Sequence, residues 1–190
     1  MSRLFACCLA LVGMSSFCAL ACAEGPPGFE SIDPAAYGDM LVQAVHEHQA
    51  GHMANSFGKF MRLACGGDKP SQEQVGLMYL QGEGVANNNA TGYLWLKLAS
   101  EFNFGRYRTI VKKIEAVLTP EQAKQLGQLA DELRARYGLR ATNISCREDS
   151  SSTFASNIKD AVVCAPERSG GQLLVQRCYK EEARFATPAP

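Results

Sequence analysis

The sequence carries no excess charge of either sign, because 19 lysines and arginines balance 19 aspartates and glutamates over 190 residues. A balanced chain has no long-range field that would recruit nucleic acid or an anionic membrane surface. Charge therefore identifies no partner, and we expect none that is a nucleic acid.

Patterns that bind metals are also lacking. The chain has three histidines, His46, His48 and His52, and none belongs to an H-E-x-x-H motif. Gly51 stands between His48 and His52, where a helix is expected to end, so the two rings should not share one helix face. We interpret all three as solvated surface groups, and we predict no metal and no cofactor.

A long apolar run occurs once, at residues 4–20, after the single cation Arg3. It ends in Ala21-Cys22-Ala23, which has the small-x-small form of a cleavage site. We interpret residues 1–23 as a secretory signal peptide cut near Ala23, which predicts a periplasmic or secreted protein with no membrane span in the mature chain. An uncleaved anchor and lipidation of Cys22 are the alternatives.

Removal of the signal peptide leaves four cysteines, Cys65, Cys146, Cys164 and Cys178. An even number in an exported chain predicts two disulfides, and the absence of short C-x(2–4)-C spacing argues against zinc. Cys164 and Cys178 lie symmetrically about Gly171 in an apparent hairpin, which favours Cys164–Cys178 with Cys65–Cys146. The pairing of Cys146 with Cys164 and of Cys65 with Cys178 is almost as well supported.

The mature chain divides into four parts by composition. Residues 24–35 are turn-formers and should be a poorly ordered leader, whereas residues 36–138 have the apolar spacing and punctuation of helices. The predicted helices span about 36–50, 53–64, 71–81, 89–102, 105–118 and 119–137. Thr119, Pro120 and Gln122 mark the start of the last one as an N-cap, a first-turn proline and a capping box, and we expect Ser71 and Gln74 to cap the third.

Residues 139–181 change character and favour β-structure. They hold three of the four cysteines and two β-leaning runs, 161–164 and 173–179, joined by a glycine pair at 170–171. We predict a small disulfide-tied β appendage in which these two runs form a hairpin. Residues 182–190 are expected to be a disordered tail.

A recurring arrangement of small and aromatic residues suggests how the helices pack. Residues 51–67 and 82–105 each contain a small residue, an aromatic ring and a second small residue at helical spacing. The two sets are Ser56, Phe60 and Ala64, and Gly92, Trp95 and Ala99. Such spacing puts the members of a set on one helix face, so we assign Ser56 a packing role and Trp95 the role of core anchor.

A set of residues in the middle of the chain falls in register with a known repeat signature. The matching positions are Gly76, Tyr79, Gly82, Gly84, Val85, Trp95 and Ala99. At these positions the chain resembles the Sel-like repeats of the tetratricopeptide superfamily, exported bacterial type, and residues 51–67 are similar to a degenerate earlier unit. The resemblance implies a mainly α fold, a short α-solenoid of about three antiparallel helix pairs over residues 36–138. Gly92 and Asn103 depart from the pattern, which has Ala and Gly there.

The function that the resemblance implies is that of an exported, non-enzymatic helical-repeat adaptor that binds a protein or peptide partner in the cell envelope. The alternatives are an envelope enzyme acting on cell-wall material and an inhibitor or immunity-type binding protein. Two S-x-x-K pairs, Ser56 with Lys59 and Ser156 with Lys159, have the spacing of penicillin-binding enzymes. Because the S-D-N and K-T-G companion motifs are absent, we predict no catalytic residue.

Overall fold

The computed structural model describes residues 29–142, 144–149, 161–166, 173–176 and 178. The predicted signal peptide, the pair Ser156 and Lys159, the glycine pair at 170–171 and the predicted tail lie outside these described residues. The helices are α1 (Pro34–Gln49), α2 (Met53–Cys65), α3 (Lys69–Gln81), α4 (Asn89–Ala99), α5 (Gly105–Glu115) and α6 (Pro120–Tyr137). The strands are β1 (Phe29–Ile32), β2 (Ile144–Asp149), β3 (Ala161–Pro166) and β4 (Leu173–Gln176).

The prediction of a mainly helical fold with a small disulfide-tied β-structure near the C-terminus is confirmed. Each of the first four helices packs on the next, and α4 contacts both α5 and α6. The apolar core runs through this stack, from Ala44 of α1 to Val111 of α5 and Leu133 of α6. Strand β3 packs beside α3, and β4 packs beside α2.

Local sequence signals place most helix ends correctly. Thr119 and Gln122 form the predicted capping box at the start of α6. The prediction for α3 is wrong, because its N-cap is Asp68, whose carboxylate accepts the Ser71 N–H at 2.8 Å. A proline in the first turn accompanies an N-cap aspartate in many helices, and Pro70 fits that pattern. Helices α4 and α5 each end three residues earlier than predicted, at Ala99 and Glu115.

Helices α3 and α4 approach so closely at one point that neither can carry a side chain there. A Cβ atom on Gly76 would lie 2.9 Å from the Gly92 carbonyl oxygen and 2.7 Å from Leu96 Cγ. A Cβ on Gly92 would lie 2.9 Å from the Gly76 carbonyl oxygen and 2.8 Å from Leu80 Cδ2. Gly92 costs about 1 kcal/mol of helix propensity relative to alanine. The close backbone contact explains why α4 tolerates glycine at that position.

We expect Gly92→Ala to destabilise the protein although it improves helix propensity. The added methyl overpacks a contact with backbone atoms, which cannot move aside as a side-chain tip can, so the cost should lie in the upper part of the usual range of about 1–3 kcal/mol. After a propensity gain of about 1 kcal/mol, the net loss should be about 1–2 kcal/mol. Gly127→Ala in α6 is the matched control, because a Cβ there meets nothing within 4 Å, and it should stabilise by about 0.5–1 kcal/mol. Urea denaturation of both variants checks the opposite signs, and stabilisation by Gly92→Ala would contradict the packing described.

Trp95 is a buried core residue, as predicted, and it lies where α4 meets α6. Its side chain is buried, and its ring stacks on that of Tyr137 with centroids 5.9 Å apart. Ala130, Leu133 and Tyr137 are the buried residues of α6. Nearer the N-terminus of the same helix, Leu126 is partly buried and Ala123 is exposed.

The predicted β hairpin is wrong. Strand β3 pairs antiparallel with β2, and β4 pairs antiparallel with β1 from the N-terminal segment. The leader prediction is therefore wrong for Phe29–Ile32. This segment forms β1, because it pairs with β4 more than 140 positions away. The two β-leaning runs thus belong to different two-stranded sheets.

The disulfides follow the alternative pairing, and the favoured one is wrong. Cys146 bonds to Cys164 across the β2–β3 pair, with Cα atoms 4.1 Å apart. Cys65 at the end of α2 bonds to Cys178 just after β4, with Cα atoms 5.7 Å apart. The hairpin assumed between Cys164 and Cys178 does not exist, and the second bond instead fastens the β1–β4 sheet to the helical stack.

Candidate functional site

The seven signature residues come together as one α3–turn–α4 unit, and they serve packing. Tyr79, Trp95 and Ala99 are buried. Gly82 and Gly84 have φ of 73° and 71°, in the left-handed region that glycine adopts without strain. Val85 is partly buried against the core. A Cβ on Gly84 would collide with the Met53 carbonyl, so the turn also lies on the start of α2.

Ser56 has the predicted packing role, and Lys59 is engaged elsewhere. Ser56 is fully buried, and its hydroxyl donates to the Ala44 carbonyl at 2.9 Å. Lys59 Nζ lies 3.6 Å from a carboxylate oxygen of Glu47. The hydroxyl therefore faces the α1–α2 interface, while the amine is held at the surface.

The histidines are not all solvated as expected. His48 is partly buried, and its Nε2 lies 3.2 Å from the Gln74 amide nitrogen and 3.4 Å from Glu83 Oε2, so it connects α1 to α3 and its following turn. His52 is exposed and lies 2.8 Å from Glu47, and this hydrogen bond lowers the pKa of the Glu47 carboxyl. Within the described residues, no group of three or more His, Cys, Asp or Glu side chains is arranged to hold a metal ion.

A fully buried lysine lies behind the one surface pocket that we consider a candidate site. Lys69 Nζ donates to Glu101 Oε2 at 2.9 Å, to Gln72 Oε1 at 3.0 Å and to the Leu98 carbonyl at 3.4 Å. Burial lowers the pKa of the Lys69 amine, and the hydrogen bond with Glu101 opposes that effect. Lysine is seldom fully buried without a paired acid, so this ion pair holds Glu101 in place.

The pocket itself has a volume of about 560 Å³ and carries charges of both signs. It is lined by Glu101, Asp131, Arg134, Ala135, Arg140 and Ala141. Glu101 Oε2 also accepts the Leu139 N–H at 2.9 Å, which ties the pocket floor to the segment after α6. Arg134 Nη1 lies 2.6 Å from Asp131 Oδ1, whereas Arg140 is exposed. Glu101, with 18% of its side chain exposed, is the one acceptor of the lining that is held from within. Asp131 and Arg134 are 73% and 40% exposed, so they and Arg140 are surface groups.

Further buried polar groups surround the start of α3. Burial raises the pKa of Asp68, while its hydrogen bonds with Ser71 lower it. Burial also raises the pKa of the Tyr37 hydroxyl, and the charge of Asp68 adds to that shift. Glu73 lies 2.7 Å from Arg106 of α5, and burial raises its pKa against the pull of that arginine. These groups connect α1, α3 and α5 and do not line the pocket.

The sequence reasoning missed the whole Lys69 network. Asp68 followed by a proline two positions later could have revealed the true start of α3, which would have put Lys69 at its first position. Nothing in the sequence marks Lys69 as buried or Glu101 as its partner, because Lys69 begins α3 and Glu101 lies 32 positions later, in the turn after α4.

Comparisons with known proteins do not assign this chain to a family. No model of a protein family matches the chain, and no curated protein matches it. In the part of the chain that the structure describes, no helix is both long and apolar enough to cross a membrane.

Proposed function

We propose that this protein is an exported, non-enzymatic adaptor of the Sel-like repeat class, located in the periplasm or secreted, which binds a charged segment of a protein or peptide partner. The observation that carries the proposal is the pocket at Glu101, where acceptors and guanidinium donors stand on a rigid helical base. Export rests on the signal-peptide pattern of residues 1–23, and the class rests on the repeat signature.

The charges of the pocket suit a polypeptide better than a uniformly charged polymer. Arg140 can donate to a carboxylate, and a guanidinium does so in bidentate fashion with good geometry. Glu101 and Asp131 can accept from a lysine, an arginine or a free amine of the partner. A peptide presents both kinds of group at short spacing, whereas a nucleic acid presents anions alone.

The scaffold around the pocket is preorganised, which favours binding over induced folding. Glu101 is held from within by Lys69 and from the side by the Leu139 N–H. The Trp95–Tyr137 stack fixes α6 against α4 two turns or less from the lining residues of α6. A partner thus meets side chains whose positions are already set.

Site-specific photocrosslinking tests the proposal. A benzophenone side chain placed at the exposed, pocket-lining Ala135 or Ala141 should give a discrete light-dependent adduct with one envelope protein, identified by mass spectrometry. The same group at Ala116, exposed beyond α5 and outside the lining, should give none. Arg140→Glu should reduce the adduct about tenfold or more, the equivalent of 1.4 kcal/mol, whereas Arg108→Glu on α5 should not.

Equal adducts from all three positions would mean that the pocket is not the binding site.

For the enzyme alternative, purified protein is incubated with peptidoglycan and with a reporter lactam. Turnover that disappears in Ser56→Ala would overturn the adaptor proposal. The burial of the Ser56 hydroxyl supports the opposite expectation.

A further inference from the structure

The two disulfides differ in their surroundings. Cys65 and Cys178 are both buried in the core, at 0% and 3% exposure. In the second bond, Cys164 is buried on β3, which packs beside α3, whereas Cys146 on β2 is only partly buried. Cys146 is therefore the most exposed of the four bonded cysteines, and an incoming thiolate should approach it more easily than the other three. Accessibility is one of the factors that decide the rate of thiol–disulfide exchange.

The sulfur of Cys164 lies at the N-terminus of α3, a helix of 13 residues. The first backbone N–H of the helix, on Lys69, donates to Cys164 Sγ at 3.4 Å. The N–H groups in the first turn of a helix have no partner within the helix. Here Ser71 N–H is taken by the Asp68 carboxylate, and Pro70 has no N–H. The Asp68 cap therefore does not engage the Lys69 N–H, which donates to Cys164 Sγ instead.

This contact would stabilise a thiolate on Cys164. Helix N-termini lower the pKa of cysteine thiols, because the N–H donors and the helix dipole favour negative charge. Burial of Cys164 and the charge of the Asp68 carboxylate at the same helix end oppose the effect, and the Lys69 ammonium is paired with Glu101. A thiol of lower pKa leaves faster in exchange, so the hydrogen bond from the Lys69 N–H favours Cys164 as the leaving group.

We propose that Cys146–Cys164 is an exchange-reactive disulfide that accepts two electrons from the dithiol of a partner protein, while Cys65–Cys178 is a structural bond. The partner's thiolate attacks Cys146 Sγ, the bond between Cys146 and Cys164 breaks, and its electron pair stays on Cys164 as a thiolate. A second partner thiolate then attacks the mixed disulfide. This step releases Cys146 as a thiolate and leaves the partner oxidised.

Mapping of the mixed disulfide tests the direction of attack. The oxidised mature protein is incubated with glutathione, quenched with N-ethylmaleimide at intervals and analysed by peptide mass spectrometry. Early samples should carry glutathione on Cys146 and maleimide on Cys164, by about tenfold or more over the reverse arrangement. Cys65–Cys178 should remain intact at those times. Glutathione mainly on Cys164, or earlier reduction of Cys65–Cys178, would overturn the proposal.

A pair of variants tests the contribution of the helix N-terminus. Lys69→Pro and Lys69→Ala both remove the ammonium, but only the proline removes the backbone N–H, and proline is tolerated at the first position of a helix. Exchange should be about threefold slower or more in Lys69→Pro than in Lys69→Ala, and equal rates in two folded variants would contradict the leaving-group role. If Lys69→Pro does not fold, the site of attack in the wild-type protein still decides the proposal.

Discussion

Replacement of Trp95 by alanine should lower the free energy of unfolding by about 3–5 kcal/mol, the usual loss for a buried aromatic ring. The ring is 3% exposed and stacks on Tyr137, so its removal leaves a cavity where α4 meets α6. In a chain of this size each kcal/mol shifts Tm by roughly 2–4 °C. Circular dichroism should follow the melting, because Trp95 is the single tryptophan and its fluorescence disappears with it.

Two further substitutions make the Trp95 result specific. Trp95→Phe keeps a ring in the site and should lose less stability than Trp95→Ala. Val117→Ala removes an apolar side chain that is 80% exposed and should change stability by no more than about 0.5 kcal/mol. A Tm for Trp95→Ala equal to that of Val117→Ala would contradict the packing of α6 on α4.

Glu101→Ala should also cost about 3–5 kcal/mol, because it leaves a buried ammonium without its anionic partner. Lys69 is 0% exposed and would retain only the Gln72 and Leu98 oxygens as acceptors. Lys69→Met should cost less, since methionine fills a similar volume and Glu101, at 18% exposure, can be hydrated. Removal of the acid should thus cost more stability than removal of the base, and urea denaturation of both variants at pH 7 measures the difference.

The pH dependence of Glu101→Ala follows from the sign of the Lys69 shift. Burial lowers the pKa of Lys69 in the folded state, and loss of Glu101 removes the interaction that opposes this. The unfolded chain then binds more protons than the folded one above the folded pKa, so stability rises with pH. Raising the pH from 7 toward 10 should therefore reduce the difference in the free energy of unfolding between Glu101→Ala and the wild-type protein. Glu132 is an exposed acid on α6, so Glu132→Ala should cause neither the loss of stability nor its dependence on pH. A stability difference between Glu101→Ala and wild type that stays constant with pH would rule out a buried ammonium.

The helices and their packing faces could be predicted because their signals are local. The capping box at Thr119 and Gln122 lies within four residues, and the left-handed turn at Gly82 and Gly84 needs nothing beyond the residues' own backbone freedom. The helical spacing around Trp95 identified a buried face without reference to what covers it. Each of these inferences depends on neighbours in the chain.

The candidate site could not be predicted, because its members come from distant positions. Lys69 and Glu101 are ordinary surface residue types, and they become a buried pair only when α3, α4 and the segment after α6 meet. Leu139 contributes a backbone N–H, which no side-chain pattern reveals. Arg134 and Arg140 can be recognised as candidate site residues only once the structure shows that they line the same pocket as Glu101.

The sequence by itself determined the helical character and the capping box of α6, because helix formation and capping act over three or four residues. An even number of cysteines in an exported chain likewise indicated two disulfides. Tertiary structure alone decided which cysteines pair and which strands meet. Cys65 and Cys178 are 113 positions apart, and β1 pairs with β4 across almost the whole chain. Contacts of that range depend on how the helices stack, and the stacking is fixed at points such as Gly76 and Gly92, where two backbones touch.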